Sequence, residues 1–148
     1  MAETYGFFNS TDNDVRAYSA DHLTNLLSML ISNGVCGGSD ALRADRNNFN
    51  VTISSGGAVI DGHWYFNSAP KVFSVTPPTS GTRFDRIVVR YNQNTRRLAL
   101  LWRKGTGSDP PEIYDNDQYK EISVCRLMVV TTSIISVTDE RVFVQLRN

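Results

Sequence analysis

The chain has 148 residues and a mass of 16.6 kDa, with 41% hydrophobic and 20% charged residues. A chain of this length and composition can bury its own core, which predicts one folded domain and excludes disorder over the whole chain. Fifteen basic residues balance fifteen acidic residues, so the formal net charge is zero. Because proteins that coat nucleic acid or anionic membranes need an excess of positive charge, we expect neither partner.

The N-terminus lacks a basic segment followed by an apolar run, and no stretch approaches about 18 apolar residues. The sequence therefore predicts neither a secretory signal nor insertion into a membrane. Cys36 and Cys125 are single cysteines far apart in the chain. Two such residues cannot form a disulfide framework, and we predict two buried free thiols.

The first predicted element is an arm over residues 1–18. Aromatic residues are mixed there with Asn, Ser and Asp and follow neither helical nor strand periodicity. Turn chemistry explains the run from Asp12 to Asp14. An EF-hand loop beginning at Asp12 would need Gly where Ala17 lies and Glu where Leu23 lies.

A helix over residues 19–33 follows the arm. Its apolar residues recur at the spacing of one helical face: Leu23, Leu26, Leu27, Leu30 and Ile31. We predict that Ser19 or Asp21 caps the start of this helix and that Asn33 and Gly34 end it in a left-handed turn.

After Gly38 the pattern changes to short strands separated by turns. The predicted strands cover residues 49–54, 58–60, 63–66, 71–75, 84–91, 97–103, 119–130 (one long strand or two shorter ones), 134–137 and 141–146. Asp61 and Gly62 predict a two-residue type I′ hairpin turn, because both positions of that turn need positive φ. Turn signals at this spacing indicate a mainly β protein, an antiparallel β-sandwich or barrel with one N-terminal helix over residues 19–148.

No catalytic or metal-binding motif is recognisable. Two histidines are too few for a three-histidine zinc site, and HExxH is absent. The glycine clusters match neither phosphate-binding fingerprint, and no Gly-x-Ser-x-Gly elbow presents a nucleophile. We predict a non-enzymatic protein without a metal or cofactor.

Arginine supplies twelve of the fifteen basic residues, and several arginines fall on one predicted hairpin. The candidates for an interface are Arg86, Arg90, Arg97 and Arg103. A solvent-facing charged surface, a nucleic-acid surface and a protein interface all remain compatible with this pattern. Planar guanidinium groups are favoured in protein interfaces, and the neutral net charge opposes nucleic acid.

Two groups of aromatic residues are candidate binding elements. Tyr5, Phe7 and Phe8 lie in the arm, and a polar arm must bury such residues either on its own domain or on a neighbour. Trp64, Tyr65 and Trp102 lie in predicted strands. They are the alternative candidates, as a platform for host cell-surface polysaccharide, although strand aromatics commonly form core and cross-strand pairs.

Several short motifs occur in a fixed order along nearly the whole chain. They are YGFFNS at 5–10, the run from Asp14 to Ala20, NGV at 33–35, GAVIDGHWY at 57–65, RFDRIVVR at 83–90, KG at 104–105 with PP at 110–111, and VTDER at 137–141. This succession resembles the N-terminal domain of tail and baseplate structural proteins of siphophages and prophages of Gram-positive bacteria. That group includes upper baseplate proteins and the attachment parts of receptor-binding fibres.

The resemblance implies a β-sandwich adaptor that docks to a phage tail and carries or presents receptor-binding parts. It further implies a homo-oligomer, often a trimer or larger symmetric ring, whose partners are other tail proteins. Such a subunit is made in the host cytoplasm and built into the virion. Related chains commonly continue beyond the region of residues 138–141, whereas this chain ends at Asn148. We therefore expect either a connector without direct host recognition or a fragment of a longer protein.

Overall fold

The computed structural model describes residues 3–148, so Met1 and Ala2 of the predicted arm lie outside the described residues. Strands account for 46% and helix for 8% of the protein, and antiparallel sheets form a sandwich-like arrangement, which confirms the predicted fold class. The elements are α1 (Ala20–Leu30), β1 (Gly34–Cys36), β2 (Ala44–Asn47), β3 (Asn50–Ile53), β4 (Gly56–Ile60), β5 (His63–Asn67), β6 (Lys71–Ser74), β7 (Thr82–Asn92), β8 (Arg97–Arg103), β9 (Tyr119–Val130) and β10 (Ile134–Asp139).

The strands form three antiparallel sheets. The largest has the order β10-β9-β7-β8, the second β1-β4-β5 and the third β2-β3-β6. One continuous core joins all three: its members include Val35, Ile60, Val51, Ile87 and Leu127. Alternation along the strands explains this arrangement, because β3 buries Val51 and Ile53 and leaves Thr52 between them partly exposed.

The hairpin between β4 and β5 has the predicted turn. Asp61 has φ 51° and Gly62 has φ 78°, as a type I′ turn requires. A Cβ atom on Gly62 would overlap the carbonyl oxygen of Thr24, so α1 rests with its backbone on this turn. Asn33 also binds this turn, since its Oδ1 accepts the Asp61 N–H at 2.8 Å.

The helix begins as predicted but ends earlier. Ser19 is the N-cap, and its backbone N–H donates to Nδ1 of His22 at 2.9 Å. The predicted stop at Asn33 and Gly34 is wrong, because the helix ends at Leu30 and Ile31 is already extended. Gly34 instead begins β1, where a Cβ atom would lie 2.6 Å from the carbonyl oxygen of Val142.

The C-terminal segment does not form the predicted strand over 141–146. It runs beside β1 and makes isolated bridges, one parallel between Val35 and Phe143 and one antiparallel between Ile31 and Leu146. The short strands β1 and β2 were not predicted, because Gly34–Cys36 lies in a glycine-rich stretch and Ala44–Asn47 is mostly polar.

Candidate interaction surfaces

The arm presents three large aromatic side chains to solvent. Tyr5, Phe7 and Phe8 are each more than half exposed. Tyr18 holds them in place, because its hydroxyl accepts the Phe8 N–H at 2.8 Å and its ring lies 5.0 Å from the ring of Phe7. Arg16 completes the cluster, with its guanidinium 5.5 Å from the Phe8 ring centroid. The arm is therefore ordered by its own residues and not by burial in the β domain.

Phe7 adopts a backbone conformation that is unfavourable for its residue type. Its φ is 67°, in the left-handed region that bulky residues rarely occupy. Such strain costs on the order of 1 kcal/mol and is concentrated at functional sites.

A groove of about 770 Å³ separates the arm from α1, and its lining includes Tyr5, Phe7, Leu26 and Met29.

The helix α1 lies on the surface, and its leucine stripe (Leu23, Leu26, Leu27 and Leu30) is only partly buried. All eleven of its residues are exposed or half-buried, and Leu23 and Leu30 retain 50% and 48% of their surface. An isolated helix of this length is marginal in water, since helices of globular proteins gain most of their stability from packing an apolar face. Leu23 and Leu30, at the two ends of the leucine stripe, thus lack the contact that such a face normally makes.

A second exposed apolar surface lies on β5. Trp64 and Phe66 alternate with half-buried residues along this strand, and they remain 73% and 63% exposed. Their positions two residues apart place both rings on the outer face of the sheet β1-β4-β5. We call Trp64 and Phe66, on the outer face of this sheet, the aromatic ridge.

The three residues predicted as a sugar platform do not share a surface. Trp64 points outwards, whereas Tyr65 alternates to the inner face and packs against the core. Burial raises the pKa of the Tyr65 hydroxyl. Trp102 also packs on the core, and its indole N–H donates to Asp85 at 2.9 Å. Phe66, which was not predicted as part of the platform, is the residue that accompanies Trp64.

Three of the four candidate interface arginines are held by carboxylates of the same chain. Arg90 and Arg103 each donate to the Glu121 carboxylate at 2.7 Å, and Arg86 pairs with Glu140 at 3.1 Å. The Glu121 side chain is fully buried, so these are internal ion pairs. The fourth candidate, Arg97, is exposed and forms no ion pair with any residue between 3 and 148.

The loop between β8 and β9 explains why these arginines are covered. Tyr114 from this loop donates its backbone N–H to Glu121 at 3.0 Å, and its ring lies 4.0 Å from the Arg103 guanidinium carbon. Tyr119 stacks on Arg90 at 4.3 Å in the same way. The arginine-rich hairpin is thus the support for a loop, and only Arg97 of the four remains free for a partner.

Sequence reasoning missed a buried polar cluster around Asp85. Its fully buried carboxylate accepts two hydrogen bonds from Arg83, one from Trp102 and one from the Gly105 N–H at 2.9 Å. A Cβ atom on Gly105 would overlap the carbonyl oxygen of Phe84. The alternation Arg-x-Asp at the start of β7 was the available signal, since both residues point to one face of a strand.

A second arginine pair holds the C-terminal segment. Arg141 forms a bidentate pair with Asp139 and donates to the carbonyl oxygens of Ser39 and Ala41. Hydrogen bonds from Arg141 lower the pKa of the Asp139 carboxyl. This pair ties the end of β10 to the loop that precedes β2.

Both cysteines are free thiols, as predicted, and Cys125 is buried whereas Cys36 is half-buried. Burial raises the pKa of Cys125 to about 12 and also raises that of Cys36, so neither thiol has the character of a nucleophile. Within residues 3–148, no group of three His, Cys, Asp or Glu side chains is placed to hold a metal ion. No helix in the same range is long and apolar enough to cross a membrane.

Comparison with known proteins returned no match: no family model, no curated protein and no solved structure matches the chain.

Proposed function

We propose that the protein is a non-enzymatic structural subunit of a phage tail or baseplate, and that its aromatic arm docks it to another tail protein. The observation that carries this proposal is the arm itself: three large aromatic side chains stand exposed on a segment that is already ordered. Aromatic residues dominate the binding energy of protein interfaces, and a preorganised segment loses little entropy when it binds.

The ordered motifs that carry the resemblance support the same proposal. Asp85 and Gly105 belong to the buried cluster at the start of β7, and Arg86 and Glu140 pair across the largest sheet. These motif residues hold the fold together. The motifs on which the resemblance rests therefore include residues that a shared architecture would require.

Co-purification with candidate tail proteins tests the docking role. The tagged chain is co-expressed with the products of the genes that flank its own gene. We expect one of them to be retained at a fixed ratio. Replacing Tyr5, Phe7 and Phe8 by Ser should reduce this retention at least roughly tenfold, because a single aromatic hot spot of an interface contributes about 2 kcal/mol or more.

Val72→Thr is the matched control for that experiment, because Val72 is an exposed apolar residue on β6, outside the arm. It should leave retention unchanged. The docking role is wrong if no flanking gene product is retained, or if the arm variant retains its partner as well as the control does.

Carbohydrate binding is the alternative function, and only the exposed Trp64 favours it among the three residues predicted for it. A cell-wall polysaccharide array separates the two functions. Binding that Trp64→Ala abolishes would support the alternative, whereas no binding to any glycan supports the structural role.

A further inference from the structure

The outer face of the sheet β1-β4-β5 is apolar, and its two aromatic residues on β5 are exposed to solvent. The register places two rows of residues on it: Gly34, Val59 and Trp64 in one, and Cys36, Gly57 and Phe66 in the other. All six residues are uncharged. Trp64 and Phe66 are exposed, Val59 and Cys36 are half-buried, and Gly34 and Gly57 are buried. Antiparallel sheets with one solvated face normally carry polar residues there. A sheet that is apolar on both faces is typical of one that is covered on both sides.

The helix α1 also exposes apolar side chains that no part of the same molecule covers. Leu23 and Leu30, seven residues apart on one stripe, are both about half exposed. The helix meets its own domain through the backbone of Thr24 at the β4–β5 turn. Asn33 and Asp61 exchange two hydrogen bonds beside this contact, at 2.8 and 3.2 Å. Because the helix is fixed at the end of the sheet, its leucines do not cover the sheet face of the same molecule.

The two surfaces match in size. An eleven-residue helix is about 16 Å long, and the five residues of β5 extend over about 17 Å. One helix therefore spans the ridge of Trp64 and Phe66 from end to end.

The two surfaces also match in charge. The helix carries Asp21 in its first turn and no basic residue in its last turn, and the leucine stripe itself is uncharged, as is the sheet face. Neither surface offers the charged side chains that would select a strongly basic or acidic partner. Two neutral apolar surfaces that lack a cover on the same chain are complementary to each other.

We propose that α1 of one molecule packs across the aromatic ridge of a second copy of the same chain. The contact is heterologous, because each copy contributes its helix to one neighbour and its sheet face to the other. Repetition of such a contact closes into a ring when the rotation between copies allows it. The proposal does not depend on the docking role of the arm, which uses Tyr5, Phe7 and Phe8.

Mixing of two variants tests this arrangement. Trp64→Thr with Phe66→Thr removes the ridge and keeps strand propensity, whereas Leu23→Gln with Leu30→Gln removes the stripe and keeps helix propensity. The mass of each is measured by sedimentation over a hundredfold range of concentration. We expect the native chain to assemble beyond 16.6 kDa and each variant alone to stay at that mass.

The mixture gives the decisive result. The ridge variant retains an intact helix and the stripe variant retains an intact ridge, so together they should form a dimer of about twice 16.6 kDa and nothing larger. A helix-to-helix interface predicts instead that the ridge variant assembles normally and that mixing restores nothing. Val72→Thr, outside both surfaces, should assemble like the native chain.

Three outcomes would overturn the proposal: a native chain that stays monomeric at every concentration, a ridge variant that assembles like the native chain, or a mixture that remains monomeric. Assembly only after addition of a different tail protein belongs to the first outcome. Circular dichroism checks that each variant is folded. If the double ridge variant is unfolded, Trp64→Lys replaces it, since this side chain is 73% exposed and a charge there is compatible with a folded monomer.

Discussion

Asp85 illustrates how single residues hold this fold. Its carboxylate lies completely out of solvent and receives all of its hydrogen bonds from three residues of the same chain. A buried carboxylate is stable only when its charge is paired and its oxygens are hydrogen-bonded. Arg83 supplies the charge, and Trp102 and Gly105 supply the remaining donors, so the cluster connects β7, β8 and the loop that follows.

Asp85→Asn should therefore destabilise the protein by about 3 kcal/mol or more, because Arg83 would remain buried without its counter-charge. The free energy of unfolding in urea measures this loss. Asp115→Asn is the control, since Asp115 is 81% exposed in its pair with Lys120 and should change stability by less than about 1 kcal/mol. Equal losses in both variants would show that Asp85 has no special structural role.

Asp139 gives the stability a dependence on acid pH. Arg141 lowers its pKa in the folded protein, so this pair stabilises the fold above the pKa of the unfolded chain and ceases to do so as pH falls through the lowered folded value. Because the Asp139 side chain is 60% exposed, we expect the pair to contribute less than about 1 kcal/mol to the free energy of unfolding. Urea unfolding should show that Asp139→Asn reduces stability less at about pH 3 than at neutral pH; an equal loss at both would contradict the ionic role.

At the scale of elements, the position of α1 depends on one turn. The type I′ turn between β4 and β5 brings Gly62 under the backbone of Thr24, and the side chain of Asn33 fastens the chain beyond the helix to the same turn. The helix is thereby held at the end of the sheet with its leucines turned away from the core. The same turn thus determines both the local geometry and the surface that a neighbour can contact.

Gly62→Ala tests this dependence. Its added Cβ would overlap the Thr24 carbonyl oxygen at a positive φ, so we expect a loss of about 2 kcal/mol or more and a displaced helix. Gly81→Ala is matched in conformation, with φ 69° and nothing within 4 Å of its added Cβ, and should cost only about 1 kcal/mol. Urea unfolding measures both. Similar losses would mean that backbone conformation, and not contact with α1, determines the stability lost on substitution of Gly62.

At the scale of the whole molecule, apolar surface is divided between a shared core and unburied elements. The core joins all three sheets, whereas the arm, α1 and the aromatic ridge keep large side chains in solvent. Exposed apolar patches of more than a few hundred Å² usually mark interaction sites. The charge balance is compatible with association too, since zero net charge provides little repulsion between copies.

Local sequence signals were sufficient for much of the architecture. Strand alternation, the Asp61-Gly62 turn and the helical leucine spacing depend on neighbours along the chain, and the hairpin, the start of the helix and the mainly β class are all confirmed. The end of the helix was mispredicted because it depends on a contact between residues that are distant along the chain. Gly34 is required by the close approach of Val142, a residue more than a hundred positions away.

The sequence by itself determined the fold class, the ordered turns and the set of aromatic and arginine residues from which an interface can be built. Only the tertiary structure decided which of them are available. It pairs Arg90 and Arg103 with the buried Glu121 carboxylate and Arg86 with the partly buried Glu140, and it separates Trp102 from Trp64. The physical reason is that burial and ion pairing depend on contacts between distant strands, whose partners and register no local pattern specifies.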